Sequence, residues 1–168
     1  MSSFAGHSDH QSSDARLMVR VFPLLLLTNM AIVGCATTRT SHVQPGRQGE
    51  LSAVQSVEVA AFTCSDSAVA DAVRSTVMEQ LLAAGVRILE SGGDALITGT
   101  ITMSADVVAA GVGGAGAYVS GISAQVSLNG EVVAAASTTQ VRTDMWIPDP
   151  PQVLARKVGA DLRKMLGR

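Results

Sequence analysis

Aromatic side chains make up only 3% of the chain, with one tryptophan and one tyrosine, so a stacking platform for bases or sugar rings is not expected. All three histidines, His7, His10 and His42, precede residue 53, where the apolar patterning of a folded domain begins. That position removes serine–histidine and cysteine–histidine nucleophile pairs from the folded part, together with every zinc site built on imidazole. There is no basic excess: 12 Lys and Arg against 14 Asp and Glu leave a net charge of −2. Nucleic acid needs a basic face, so no nucleic-acid partner is expected. A membrane-spanning run is missing too. The apolar stretch from Val21 to Val33 is interrupted by Thr28 and Asn29 and falls short of the ~20 residues that cross the hydrocarbon layer.

That stretch has another meaning. Arg16 and Arg20 supply a positive flank, Val21-Phe22-Pro23-Leu24-Leu25-Leu26-Leu27 opens the apolar core, and small Gly34 sits at the end; this is the layout of a secretory signal. Ile32-Val33-Gly34-Cys35 resembles the lipobox of bacterial lipoproteins. The resemblance implies that Cys35 takes a diacylglyceryl thioether, that the Gly34–Cys35 bond is cut, and that the new amine is acylated. Several acyl chains make a durable anchor, since each buried methylene contributes roughly 0.8 kcal/mol and one chain alone binds marginally. Ala36 follows, with no aspartate to retain the protein at the inner membrane, so the family rule implies sorting to the outer membrane, periplasmic side. The polar residues before Arg16 do not look like a signal, and Met18 is a plausible start. Residues 1–34 are therefore read as an extension plus signal peptide that is removed.

Residues 35–52 are polar, with Pro45 and two glycines, and read as a lipidated flexible tether. Residues 53–168 read as a single periplasmic domain. Val54 to Phe62 is valine-rich and alternating, a first strand. Ser65 or Asp66 is placed to cap a helix from Ser67 to Ala84, where Val69, Val73, Val77 and Leu81 recur every fourth residue and Gly85 supplies the stop. Val86 to Leu89 is a second strand, and Ala95 to Val108 a third. Tyr118 to Leu128 and Glu131 to Arg142 pair about Asn129-Gly130, a strong hairpin signal because both residues tolerate positive φ. Asp149-Pro150 opens a last helix with a buried stripe of Leu154, Val158, Leu162 and Leu166. The expectation is an α+β domain, β-α-β-β-β-β-α, with two helices on one face of a mixed, mostly antiparallel sheet of about five strands.

Ala95-Leu96-Ile97-Thr98-Gly99-Thr100-Ile101 and Asn129-Gly130-Glu131-Val132-Val133-Ala134-Ala135-Ala136 resemble strands of small periplasmic lipoprotein domains. Such domains occur in the curli-secretion lipoprotein, the penicillin-binding-protein activators and flagellar outer-membrane lipoproteins. The likeness spans roughly residues 53–166 and bears on fold and compartment. The curli protein's pore-forming insertions have no counterpart, and uncharacterised lipoprotein families share the same strand pattern.

Gly111-Val112-Gly113-Gly114-Ala115-Gly116 fits the spelling of a dinucleotide loop. Such a loop must open a helix, whereas Tyr118-Val119-Ser120-Gly121-Ile122 is strand chemistry, so no cofactor is expected. The uncharged stretch is a candidate contact with lipid or a neighbouring subunit through Gly111, Gly113, Gly114, Gly116 and Tyr118. Trp146, before the last helix, is a further candidate contact. Cys64 stands alone once Cys35 is lipidated and reads as a small half-buried residue. Asp66, Asp94 and Asp149 read as caps and turns. No metal ligand set and no catalytic residue is expected. The function expected is a non-enzymatic, membrane-anchored envelope module that binds another protein or self-assembles. Two alternatives stay open: a carrier of lipid or glycan with a concave apolar pocket beneath the glycine-rich stretch, and a hydrolase using paired carboxylates.

Overall fold

The computed structural model describes residues 37–106, 116–141 and 148–168. Six strands and three helices alternate in the order β1 (Thr37–Val43), α1 (Gln48–Ala53), β2 (Ser56–Val59), α2 (Ser67–Leu82), β3 (Arg87–Leu89), β4 (Ala95–Asp106), β5 (Gly116–Leu128), β6 (Glu131–Gln140) and α3 (Pro151–Met165). The strands form one sheet in the order β1-β6-β5-β4-β2-β3. Neighbours within the run β1, β6, β5 and β4 are antiparallel, and β2 runs parallel to both β4 and β3. The mixed, mostly antiparallel sheet agrees with the expected class. The sixth strand and third helix were not expected.

Both additions fall in the segment read as a flexible tether, which over Thr37–Val43 and Gln48–Ala53 is instead strand and helix. Thr37 to Val43 pair in register with Gln140 to Ala134, so backbone hydrogen bonding places them without any apolar pattern. Arg39 reaches from β1 to Asp161 on α3 at 2.7 Å and donates to the Lys157 carbonyl. In α1, Leu51 is completely buried, and the Gln48 amide donates to the Met165 carbonyl at 2.9 Å. Arg47 pairs with both Glu50 and Glu131 at 2.8 Å. The sheet thus includes residues from Thr37, sixteen residues before the expected boundary at residue 53.

The expected first strand, Val54 to Phe62, is also shorter than its apolar run. β2 ends at Val59. Phe62 then turns its ring onto Gly99 of β4, where a side chain of any size would strike the ring. Gly99 is therefore a position of close approach.

One face of the sheet is covered. Val57, Val59, Ile97, Ile122, Ala124, Val126 and Ala136 are each no more than 1% exposed. The stripe expected on α3, Leu154, Val158, Leu162 and Leu166, is wholly buried, as are Val73, Val77 and Leu81 of α2. The two long helices pack on each other, and Gly159 sits at their crossing, where an added methyl would lie 2.8 Å from the Gln80 β-carbon. Close helix approach explains a glycine inside α3 despite its cost of about 1 kcal/mol in helix propensity. Asp66 caps α2 by accepting from the Ala68 and Val69 amides at 2.9 and 3.2 Å, and Gly85 ends the segment at φ +79°. Asn129 and Gly130, at φ 52° and 84°, form the expected hairpin turn. Asp149 does not cap α3; its carboxylate accepts from the Lys157 ammonium at 2.7 Å.

Candidate functional site

Two surfaces stand out, one at an end of the sheet and one on its open face. The first is built where β4 finishes and β5 begins. Met103 pairs with Val119, Ser104 with Tyr118 and Asp106 with Gly116, just past a bulge at Thr102/Met103. At the same end Gln140 closes β6. Its side chain is 95% buried, a position that demands full hydrogen bonding. The Gln140 amide nitrogen donates to the Val119 and Asp149 carbonyls at 2.7 and 3.1 Å, and its oxygen accepts from the Asp149 amide at 2.8 Å. This clamp fixes the start of α3 beside β5. Pro148, Pro150 and Pro151 consequently gather with Tyr118, Met103 and Val69 around an open cavity of about 270 Å³. Gln140 was not singled out in the sequence, where the only sign of it is a polar residue at an inward position of an apolar strand.

The second surface is the sheet face away from the helices. Outward positions from Thr98 to Thr102 on β4, Ser123 to Ser127 on β5, Ala135 to Thr139 on β6 and Thr38 to His42 on β1 carry hydroxyls, Gln125, Ala135 and His42. No carboxylate, lysine or arginine stands among them. Thr40 and Ser137 share a hydroxyl hydrogen bond of 2.7 Å across two strands. A shallow hollow of about 310 Å³ lies between Ala61, Thr63, Thr98, Thr100, Ser123 and Gln125.

Of the residues singled out in the sequence, Gly34, Cys35, Gly111, Gly113, Gly114 and Trp146 lie outside the described residues. Gly116 is the first residue of β5, so the glycine-rich segment leads into a strand. Tyr118 is half-buried and lines the end cavity. Cys64 is a free thiol packed against the core, and His42 is exposed on β1.

The carboxylates named in the sequence each have a local partner. Asp94 accepts from the Gln55 amide, the Ser56 amide and the Ser56 hydroxyl at 2.9–3.0 Å. The Gln55 amide, then the two Ser56 groups, hold its carboxyl below the ordinary aspartate range; donors aimed at a carboxylate favour its charged form. Gly93, next to it, is pressed against the β2 backbone, 2.6 Å from the Glu58 nitrogen at its would-be β-carbon. Asp94 thus pins the start of β2. Among the described residues no three His, Cys, Asp or Glu side chains come together to hold a metal ion, and no helix is long and apolar enough to cross a membrane.

No protein-family model matches the chain, and no curated protein matches it. Solved structures do. PelC from Paraburkholderia phytofirmans, a dodecamer in two crystal forms, aligns with a TM-score of 0.52 at 18% identity, covering 77% of this chain and 96% of PelC in one form and 76% and 98% in the other. A DUF4136 family protein from Bacteroides thetaiotaomicron aligns with a TM-score of 0.50 at 8% identity, over 78% of this chain and 96% of that one. At such identities the likeness concerns the fold alone: this chain shares with PelC and the DUF4136 protein a small α+β architecture spanning nearly their whole length.

Proposed function

We propose that this chain is a lipid-anchored protein of the bacterial envelope, held by Cys35 on the periplasmic side of the outer membrane, where its domain binds another protein or further copies of itself. The observation that carries the reading is the lipobox Ile32-Val33-Gly34-Cys35 at the end of a short apolar run, immediately before a domain that begins at Thr37. The non-enzymatic part of the reading draws support from the carboxylates. Asp66, Asp94, Asp149 and Asp161 are each engaged in a cap, a strand start or an ion pair. Self-assembly has a precedent in fold: PelC is a dodecamer. The uncharged part of the open sheet face, on β1, β6, β5 and β4, suits a partner, because its outward positions from Thr98 to Thr102, Ser123 to Ser127, Ala135 to Thr139 and Thr38 to His42 carry no carboxylate, lysine or arginine that would have to be desolvated.

The carrier reading comes second. A cavity does exist beside Tyr118, but at about 270 Å³ it falls below the roughly 300–1,000 Å³ of ordinary small-molecule sites. The test is to express wild type and Cys35→Ala and to fractionate the cells, crosslinking the membrane-bound protein. Wild type in the outer-membrane fraction and a released variant are expected, with crosslinks to one dominant protein or to further copies. Soluble wild type retaining residues 1–34 would refute the anchor. Anchored protein without crosslinks but with co-purified lipid or glycan would favour the carrier.

A further inference from the structure

With a single anchored cysteine, the length of chain between lipid and fold decides how the domain stands on the membrane. Thr37 is already paired with Gln140, and two residues of fully extended chain reach no more than about 7 Å. The headgroup layer on one side of a bilayer is itself about 5–7 Å deep. An acylated Cys35 therefore leaves no spacer, and the end of the domain where β1 starts must lie at the lipid surface. This step rests on the lipid anchor proposed above.

The same end carries an exposed aliphatic side chain. Val141, next to Gln140, is 63% exposed, more than the other exposed large hydrophobics Leu82, Leu89 and Val132. Beside it the Gln140 clamp holds Pro148, Pro150 and Pro151 around Tyr118 and Met103. Of the charged residues at this end, Lys157 is on Asp149 at 2.7 Å, Asp66 is folded back onto its own helix start, and Asp106 closes β4. The opposite end, with the β5–β6 hairpin and the close of α3, carries Arg47, Glu50, Glu131, Arg163, Lys164 and Arg168. The chain thus leaves for its anchor from the end that carries Val141 and the proline rim, away from this group of bases and acids.

We propose that this end is a membrane-contacting surface: Val141, Tyr118 and the proline rim rest at the boundary of headgroups and acyl chains, and the charged hairpin end points into the periplasm. The half-polar, half-apolar tyrosine side chain suits that boundary. The occupant is the lipid surface itself, and the contact is apolar rather than electrostatic.

The experiment uses the full, acylated protein with Cys64→Ser, carrying one added thiol at Val141→Cys or at Lys164→Cys. Each thiol is labelled with an environment-sensitive fluorophore, and the protein is reconstituted into phosphatidylethanolamine–phosphatidylglycerol vesicles. Intact mass reports the acyl chains on Cys35 separately. The expected result is a blue-shifted label at Val141, quenched severalfold more by shallow nitroxide lipids than by aqueous iodide, with the reverse at Lys164. Equal aqueous quenching at the two positions on acylated protein overturns the contact and leaves the anchor standing. A Cys35 without acyl chains overturns the anchor, and the contact with it.

Discussion

Replacing Leu51 by alanine separates a tether from a folded segment. Leu51 is the one fully buried side chain of α1, and around it Gln48 bonds the Met165 carbonyl while Ser52 touches the site of Gly167. Burying a leucine is worth about 1.5–3 kcal/mol by transfer alone, and truncating one in a core costs about 2–5 kcal/mol once the cavity is included. α1 lies at the rim, where Arg168 and the end of α3 can settle inward, so a value near 3 kcal/mol is expected. For a domain of this size 1 kcal/mol shifts Tm by about 3–5 °C, which puts the loss at about 9–15 °C. Thermal unfolding of the detergent-solubilised protein, followed by circular dichroism, reads it. His42→Ala, at an exposed position of β1, serves as the control and should stay within about 0.5 kcal/mol. A Leu51→Ala protein melting with wild type would refute the argument, because a spacer has no core to lose.

Thr138 is completely buried on β6, and among the described residues its hydroxyl has no hydrogen-bond partner; Thr138→Val removes that unsatisfied group at constant shape and should stabilise by about 1 kcal/mol, read as a higher denaturation midpoint in urea. The Asp94 carboxyl is held below its ordinary range by the Gln55 and Ser56 donors. Its contribution is therefore complete above the unfolded value, near pH 4, and is lost as pH falls through the lower folded value. Urea midpoints measured from pH 6 down to pH 2.5 should fall more steeply below pH 4 for wild type than for Asp94→Asn, and parallel curves would refute the assignment.

What could be read in the sequence follows from where stability comes from. α2 and α3 bury regular stripes, Val73-Val77-Leu81 and Leu154-Val158-Leu162, so period alone reveals them. Asn129-Gly130 is legible because few residue pairs adopt positive φ twice in succession. β1 is invisible to the same reasoning. Its sequence Thr-Thr-Arg-Thr-Ser-His-Val is exposed at nearly every position, and its partner lies far along the chain. α1 offers one apolar anchor in six residues, too few to display a period. Phe62 extends the apolar run past the end of β2 because it serves Gly99 rather than the ladder. At the candidate site Tyr118 was legible as an aromatic in an uncharged stretch. Gln140 was not, since its value lies in three hydrogen bonds to the backbone of Val119 and Asp149, contacts made only once the sheet and the last helix have come together.

The pairing of β1 with β6 also sets an order of events in time. Thr40 and Ser137, joined through their hydroxyls, are 97 residues apart, so this closure is among the most distant in the domain. Synthesis from the N-terminus delivers β1 first and β6 nearly last. Until β6 arrives, the hairpin with β5 is unmade, and β1 waits with both edges open. Long-range pairings of this kind form slowly and leave strand edges exposed meanwhile. The largely polar composition of β1 keeps that interval safe: a strand of three threonines, a serine, an arginine and a histidine, with Val43 as its one aliphatic residue, has little apolar surface with which to aggregate. The feature that hid β1 from pattern reading is thus the one that lets it wait.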